Sequence, residues 1–481
     1  MSDFLVVGGG SCGSVVAARL ADLPGATVTL LEVGPGWDDD MPDELLDTAV
    51  LPIGVDSPWA REYAVSLRPG HTAVVMRGRT LGGSGAVNGS YFMRAARADF
   101  EEWPPEWSFH EVLDDYRRSE HDHDFAGPYH GDAGPIPIRR APASAWTATS
   151  TEFADACTAA GFAYHADKNA PDTAGVGPVP SNVDERGNRV NAALAYLSPR
   201  RPHPGLRIHT DAEALTLAFA GTRVVGVHTR TGTVLADRVV LCAGAIESAA
   251  LLLRSGIGDP VALRGLGIPV VAAAPGVGTF CSDHPEVGVR FDAPAHAGPA
   301  TALQVVLNHD GVEFRPYTRS FGDLVPGSGV EHRTLGLTLM APHSRGRLSL
   351  RSADPAVAPV IDYHHLSNPA DRAALHAAAD IARDLLARMP SCLPERWNPA
   401  RGEDDDAWLH ARLGTSQHLA GTAPMGADDD PFAVVDEHGT VRGVTGLTVA
   451  DPSIAPAPIS RGMHATAVMI AEHVVARLRP S

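Results

Sequence analysis

The chain has 481 residues, more than one hydrophobic core usually supports, so two domains are expected. Its 57 acidic residues outnumber 39 basic ones, for a formal charge of −18. That balance excludes nonspecific nucleic-acid binding, which needs clustered Lys and Arg, and disfavours docking onto anionic lipid.

Phe4-Leu-Val-Val7 is a short β-rich run followed at once by Gly8-Gly-Gly-Ser-Cys-Gly13. Residues 14–22 then read as helix, and 26–31 as a second strand ending at Glu32, which makes a strand-turn-helix-strand unit with parallel strands. Pro, Gly and Asp punctuate residues 34–75, which read as a loop-rich excursion. Residues 97–120 read as helical, as do 148–161, with Thr and Ser available to cap the latter. Strand-like runs follow at 206–208, 224–227 and 238–241, with several more over 302–350. Asp310-Gly311 and Ser344-Arg-Gly346 look like hairpin connections. Leu375, Ala379, Ala382 and Leu386 form one stripe of a helix at about 370–389. The acidic run Glu403–Asp406 reads as a solvated surface, 446–450 as a strand and 464–477 as a final helix.

The five cysteines (Cys12, Cys157, Cys242, Cys281, Cys392) are scattered and form no CxxC pair, so neither a disulfide framework nor a metal site is expected. That usage suits a reducing, cytoplasmic compartment. No stretch approaches the roughly 18 apolar residues of a membrane span, so no spanning segment is expected.

Gly8, Gly10 and Gly13 follow a strand and open a helix, and Glu32 ends the next strand. In a dinucleotide site the first glycine permits the turn, the second lets backbone approach the pyrophosphate, and the third lets the helix pack on the sheet. The helix N-terminus favours phosphate, and an acidic residue at the second strand's end takes the ribose hydroxyls. FAD and NAD are not separated by this pattern alone.

Four segments together resemble the glucose-methanol-choline (GMC) oxidoreductase family over nearly the whole chain. They are this fingerprint, Arg77–Asn88, Gly244–Gly258 with 275–278 and 283–285, and a C-terminal block of 418–426, 435–436, 447–453 and His464. The resemblance implies an α/β plus α+β protein: a Rossmann-like FAD-binding domain from 1–145, 205–295 and 415–481, and a substrate domain on an antiparallel sheet from 146–204 and 296–414. It implies FAD contacts at Gly8, Gly10, Ser11, Cys12, Gly13, Glu32, Gly83, Asn88, Gly89, Leu215, Asp451 and Ala465. Val87 stands where some members carry a histidine bonded to the flavin, so non-covalent FAD is implied.

Of 22 histidines, His418 and His464 stand at the family's two active-site positions. His121, His123, His130 and His284 read as surface or structural hydrogen-bonders. Alcohol oxidation sheds a proton as the hydride leaves for flavin N5, and imidazole accepts a proton at modest cost near neutrality. The resemblance implies His418 as base and His464 as the partner of the substrate oxygen, with the roles exchangeable. A helix N-terminus at 464–466 would favour the charge of a reduced flavin.

Within the family the chain most resembles the branch associated with mycofactocin, a peptide-derived redox cofactor, on Gly85–Phe92, His130–Ile138, Thr415–His418, Met425–Asp430 and Ser460–His464. That branch implies oxidation of mycofactocinol, with electrons passed to a respiratory-chain component and a station at the inner face of the membrane. A small-alcohol or choline-like dehydrogenase or oxidase, and a non-redox FAD lyase, stay open as alternatives.

Overall fold

Ser2–Val7, apolar and almost wholly buried, forms the middle of a parallel sheet. It lies between Val28–Leu31 and the end of Gly232–Leu241, with Val6 opposite both Leu30 and Val240. Leu206–His209 extends one edge and Leu447–Val449 the other, both parallel. Burial on two faces is why these strands read as continuous apolar runs. The computed structural model describes residues 2–37, 40–294, 298, 300–394 and 405–478.

A second sheet is antiparallel, running from Leu393–Pro394 through Pro285–Asp292, Arg333–Leu339, Val312–Pro316 and Val305–His309 to Gly175–Pro178. The helix Pro369–Leu386 packs on it and buries the expected stripe of Leu375, Ala379, Ala382 and Leu386, capped by the Asn368 side chain. Asp310-Gly311 closes a hairpin with His309 opposite Val312. This pairing of a parallel sheet with an antiparallel one is the mixed α/β architecture expected.

Three expectations need correction. Residues 60–78 are not loop: Ala60–Arg68 and His71–Gly78 form a long hairpin, in which Tyr63, Val65 and Leu67 face the core between more exposed neighbours. Ser344–Gly346 joins no hairpin, because Arg333–Leu339 stays in the antiparallel sheet while Arg347–Ser349 pairs with Val360–Asp362 beside the 60–78 hairpin. The backbone N–H groups of His343 and Ser344 donate to the Asp371 carboxylate, which turns the chain away. Only Phe109–Ser119 of 97–120 is α-helix, since Pro104-Pro105 confines what precedes to short 3-10 turns.

Of the acidic run, residues 403–404 lie outside the described residues. Asp406 is half-exposed and paired with Arg372 and His376. All five cysteines are free and buried.

Candidate active site

Three glycine-bearing segments meet at the C-terminal end of the parallel sheet. Gly8 adopts a left-handed φ of 98°, and a Cβ on Gly13 would sit 1.8 Å from the Gly8 carbonyl oxygen. A Cβ on Gly83 would meet the Gly10 Cα at 2.7 Å. One on Gly85 would meet Ser11 Oγ at 2.6 Å and His464 Nε2 at 2.8 Å. The first turn of Ser11–Ala21, the loop at 82–85 and the start of Met463–Arg477 are therefore in van der Waals contact around one space.

That space is a cleft of about 710 Å³. Gly8, Gly10, Ser11, Cys12, Glu32, Gly83, Asn88, Gly89, Asp451, His418 and His464 line it. Gly13 does not; it packs the helix on the strand, the job its position in the motif demands. Leu215, where the resemblance implies a backbone contact, is not among the lining residues, while its neighbour Ala214 is. Ala465 is wholly buried behind Met463 and His464.

The buried Glu32 accepts the Gly9 N–H on Oε2 and the Gly34 N–H on Oε1, both at 2.8 Å. Burial pushes its carboxyl up to about 7 against the pull of these donors. Asp451, at the end of Leu447–Val449, accepts from the Gly244 N–H at 2.9 Å and from the hydroxyls of Ser248 and Ser453. Burial also raises this carboxyl above the usual range. It anchors the helix Gly244–Arg254 to the cleft. An elongated cradle too tight for Cβ atoms, ending in a buried carboxylate at one end and two imidazoles at the other, fits FAD. Val87 lines it with an aliphatic side chain.

The two histidines differ in their partners. The Ser90 N–H donates to Asn88 Oδ1 at 2.9 Å, so the amide must present Nδ2 to His464 Nδ1, 3.2 Å away. His464 Nδ1 accepts, its proton is on Nε2, and that nitrogen has no protein partner. His418 Nδ1 is instead 2.9 Å from His284 Nδ1, leaving Nε2 for the cleft. Burial depresses His464 to about 4 and carries His418 well below its ordinary value, helped by His284, Arg315 and Arg77. Both rings are neutral at pH 7.

His284 was expected among the surface or structural histidines; it is buried against His418. His130 is buried too, between Asp122, Asp167 and Glu120, which push it up to about 10 despite the cost of burial. With Glu120 and Asp122 it is the only candidate metal cluster among the described residues, but Arg94 and Arg140 already neutralise those carboxylates.

Glu286, Arg315 and Tyr317 also line the cleft and escaped the sequence reading. Glu286 Oε2 accepts from Arg315 at 3.0 Å and Ser416 Oγ at 2.9 Å, its Oε1 accepts from Tyr317 at 3.0 Å, and Tyr91 donates to Glu313 at 2.7 Å. Glu313 and Arg315 at alternate positions of a core strand were the available signal. Two residues beside the site, Ser90 and Gln417, hold positive φ angles of 58° and 61°, backbone strain of the kind concentrated at functional sites.

Family models of the GMC oxidoreductases match residues 2–286 and 342–471. The chain belongs to the GMC oxidoreductase family. Membership makes it an FAD-dependent alcohol oxidoreductase. An uncharacterised GMC-type oxidoreductase of Rhodococcus erythropolis is 45% identical over 99% of this chain and 98% of its own. An oxygen-dependent choline dehydrogenase of Xanthomonas campestris pv. campestris is 31% identical over 99% and 95%. Among solved structures, pyridoxine 4-oxidase from Mesorbium loti superposes with a TM-score of 0.91 at 26% identity, covering 99% of each chain. An Aspergillus oryzae formate oxidase variant, at 22% identity and a TM-score of 0.87 over 99% and 97%, shares the fold. Among the described residues of this GMC oxidoreductase, no helix is long and apolar enough to cross a membrane.

Proposed function

We propose that the chain oxidises a carbinol to its carbonyl with His418 as base and His464 as donor to the substrate oxygen. The observation that carries the reading is the pair of neutral imidazoles on one cleft, His418 held through Nδ1 by His284 and His464 held through Nδ1 by Asn88 with its Nε2 unpartnered. Bound FAD would supply the hydride acceptor. Gly8, Gly10, Gly83 and Glu32 would hold its nucleotide part, and Asn88, Gly89 and Asp451 its flavin side. The side chain of Val87 can form no bond to it, so it is held non-covalently.

His418 Nε2 takes the hydroxyl proton as the carbon–hydrogen bond breaks, which avoids a high-energy protonated carbonyl. The His464 Nε2–H steadies the negative charge developing on oxygen, in an environment where such a donor is worth roughly 10²–10³ in rate. Leu51, Leu303 and Phe321 give the cleft an apolar part that disfavours water, and Tyr91, Glu286 and Arg315 add polar groups to the same lining.

The proposed substrate is mycofactocinol, oxidised to mycofactocinone, with electrons passed to a respiratory-chain component from a station at the cytoplasmic face of the membrane. In support, the segments that resemble that branch contribute Gly85, Asn88, Gly89, Tyr91, Thr415, Ser416, Gln417 and His464 to the cleft. The choline dehydrogenases among the relatives favour a small-alcohol substrate as the second reading. Anaerobic mixing of the yellow protein with reduced mycofactocin tests it. Bleaching by that compound supports the proposal, bleaching by choline or simple alcohols alone selects the second reading, and no bleaching by any alcohol removes both.

A further inference from the structure

We infer that His284 is a positioning residue for the reaction, holding His418 in the tautomer that leaves Nε2 bare toward the substrate. This rests on the reading of His418 as base.

The protons can be followed ring by ring. His284 is wholly enclosed, and its Nδ1 meets His418 Nδ1 at 2.9 Å with the rings near perpendicular, at 79°. Two imidazole nitrogens at that separation share one proton, so one donates and the other accepts. The Ile459 backbone carbonyl accepts from the His284 ring, and with Nδ1 turned to His418 the bonded nitrogen is Nε2. Burial first, and the Arg315 charge second, depress His284 to about 3, so the ring carries a single proton at neutral pH. That proton is on Nε2, His284 Nδ1 is a lone pair, and His418 Nδ1 is the donor. A neutral His418 with its proton on Nδ1 has a bare Nε2. When His418 takes the substrate proton it becomes an imidazolium whose Nδ1–H still points at the same lone pair.

The backbone supports the pairing. One carboxylate oxygen, Asp283 Oδ1, accepts both the His284 N–H at 2.6 Å and the His418 N–H at 2.7 Å, tying two segments 134 residues apart to a common anchor. The Ser416 N–H donates to the His284 carbonyl at 3.0 Å. The charged and titratable groups facing the pair are Arg315, Glu313 and His365 around His284, Arg315 and Arg77 around His418, and Asp283 beside both. A wrong tautomer at this position would turn an N–H toward the hydroxyl, and the base would be lost although its ring stayed in place.

The test has two readings. In the holoenzyme with 15N-labelled histidine rings, His418 and His284 signals are assigned by their loss in His418→Ala and His284→Leu. His418 protonated on Nδ1 and bare on Nε2, with the reverse in His284, is expected. A His418 proton on Nε2 overturns the inference, whether or not any alcohol is oxidised. In stopped flow, His284→Leu should slow flavin reduction roughly 10–100-fold with KM changed by less than about threefold. His284→Asn, whose amide oxygen can accept from His418 Nδ1, should recover the rate to within about fivefold of native. A near-native His284→Leu overturns the inference. So does a His284→Asn as slow as His284→Leu at equal FAD content. If His284→Leu fails to fold, the ring protonation of the native protein decides. A native protein that oxidises no alcohol defeats the proposed function instead.

Discussion

Asn88 Nδ2 donates to His464 Nδ1 across 3.2 Å, and through that bond an amide decides which nitrogen of a buried imidazole faces the cleft with its proton. The Ser90 N–H holds the amide the right way round, so the strained backbone at Ser90 has a consequence at the reacting oxygen.

Removing this support should cost rate more than binding. Asn88→Leu frees His464 to change tautomer and should lower the flavin reduction rate on the order of 10-fold. His464→Ala removes the donor outright and should lower it by roughly 10²–10³. Stopped-flow reduction at saturating alcohol checks both, and equal, small effects would count against His464 as a donor.

His418→Ala should slow reduction by roughly 100-fold or more, because the proton loses its acceptor. The loss should be partly recovered by raising pH or adding imidazole. A change smaller than about threefold would remove His418 from the role of base.

Stability should fall on the acid side. His464 stands at about 4 and His284 and His365 at about 3, each below an ordinary 6.5 because of burial. An imidazole depressed in the folded state is protonated more readily unfolded, so stability declines as pH drops from 6.5 toward these values. Glu32, raised by burial from 4.5 to about 7, works oppositely and loses stability as pH climbs through that window. His418, also depressed by burial, adds to the acid-side loss, and Asp451, raised by burial, opposes it with Glu32; the imidazoles set the net sign. On the alkaline side His130, at about 10, contributes fully below 6.5 and loses its contribution as pH rises toward 10. Melting of the apoprotein across pH should therefore be highest between these limits, and a Tm higher at pH 4.5 than at 6.5 would contradict the assignment.

The cofactor cradle can be broken in two distinguishable ways. Gly13→Ala places a Cβ 1.8 Å from the Gly8 carbonyl and should leave a colourless protein. Glu32→Ala introduces no such clash but removes the acceptor of the Gly9 and Gly34 N–H groups, and should weaken FAD by about 10–100-fold in Kd, the value of one or two hydrogen bonds to a charged group. Fluorescence titration of the apoprotein with FAD separates the two.

Acid precipitation of the native protein should release all its FAD into the supernatant. Yellow colour remaining with the pellet would show a covalent bond despite Val87.

The nucleotide loop and Glu32 could be read from the chain because each depends on local order, whereas the mixed architecture and the two histidines came with the resemblance to the family. Glycines at 8, 10 and 13 need only a strand before and a helix after, and those are written in neighbouring residues. The hairpin at 60–78 was also written, in the alternation of Tyr63, Val65 and Leu67, but Pro69-Gly70 and the surrounding punctuation drew attention away. The His284–His418 contact, the orientation of the Asn88 amide and the resulting protons depended wholly on tertiary structure. Residue type says that imidazole can carry a proton on either nitrogen; the neighbours brought in from distant segments choose which one.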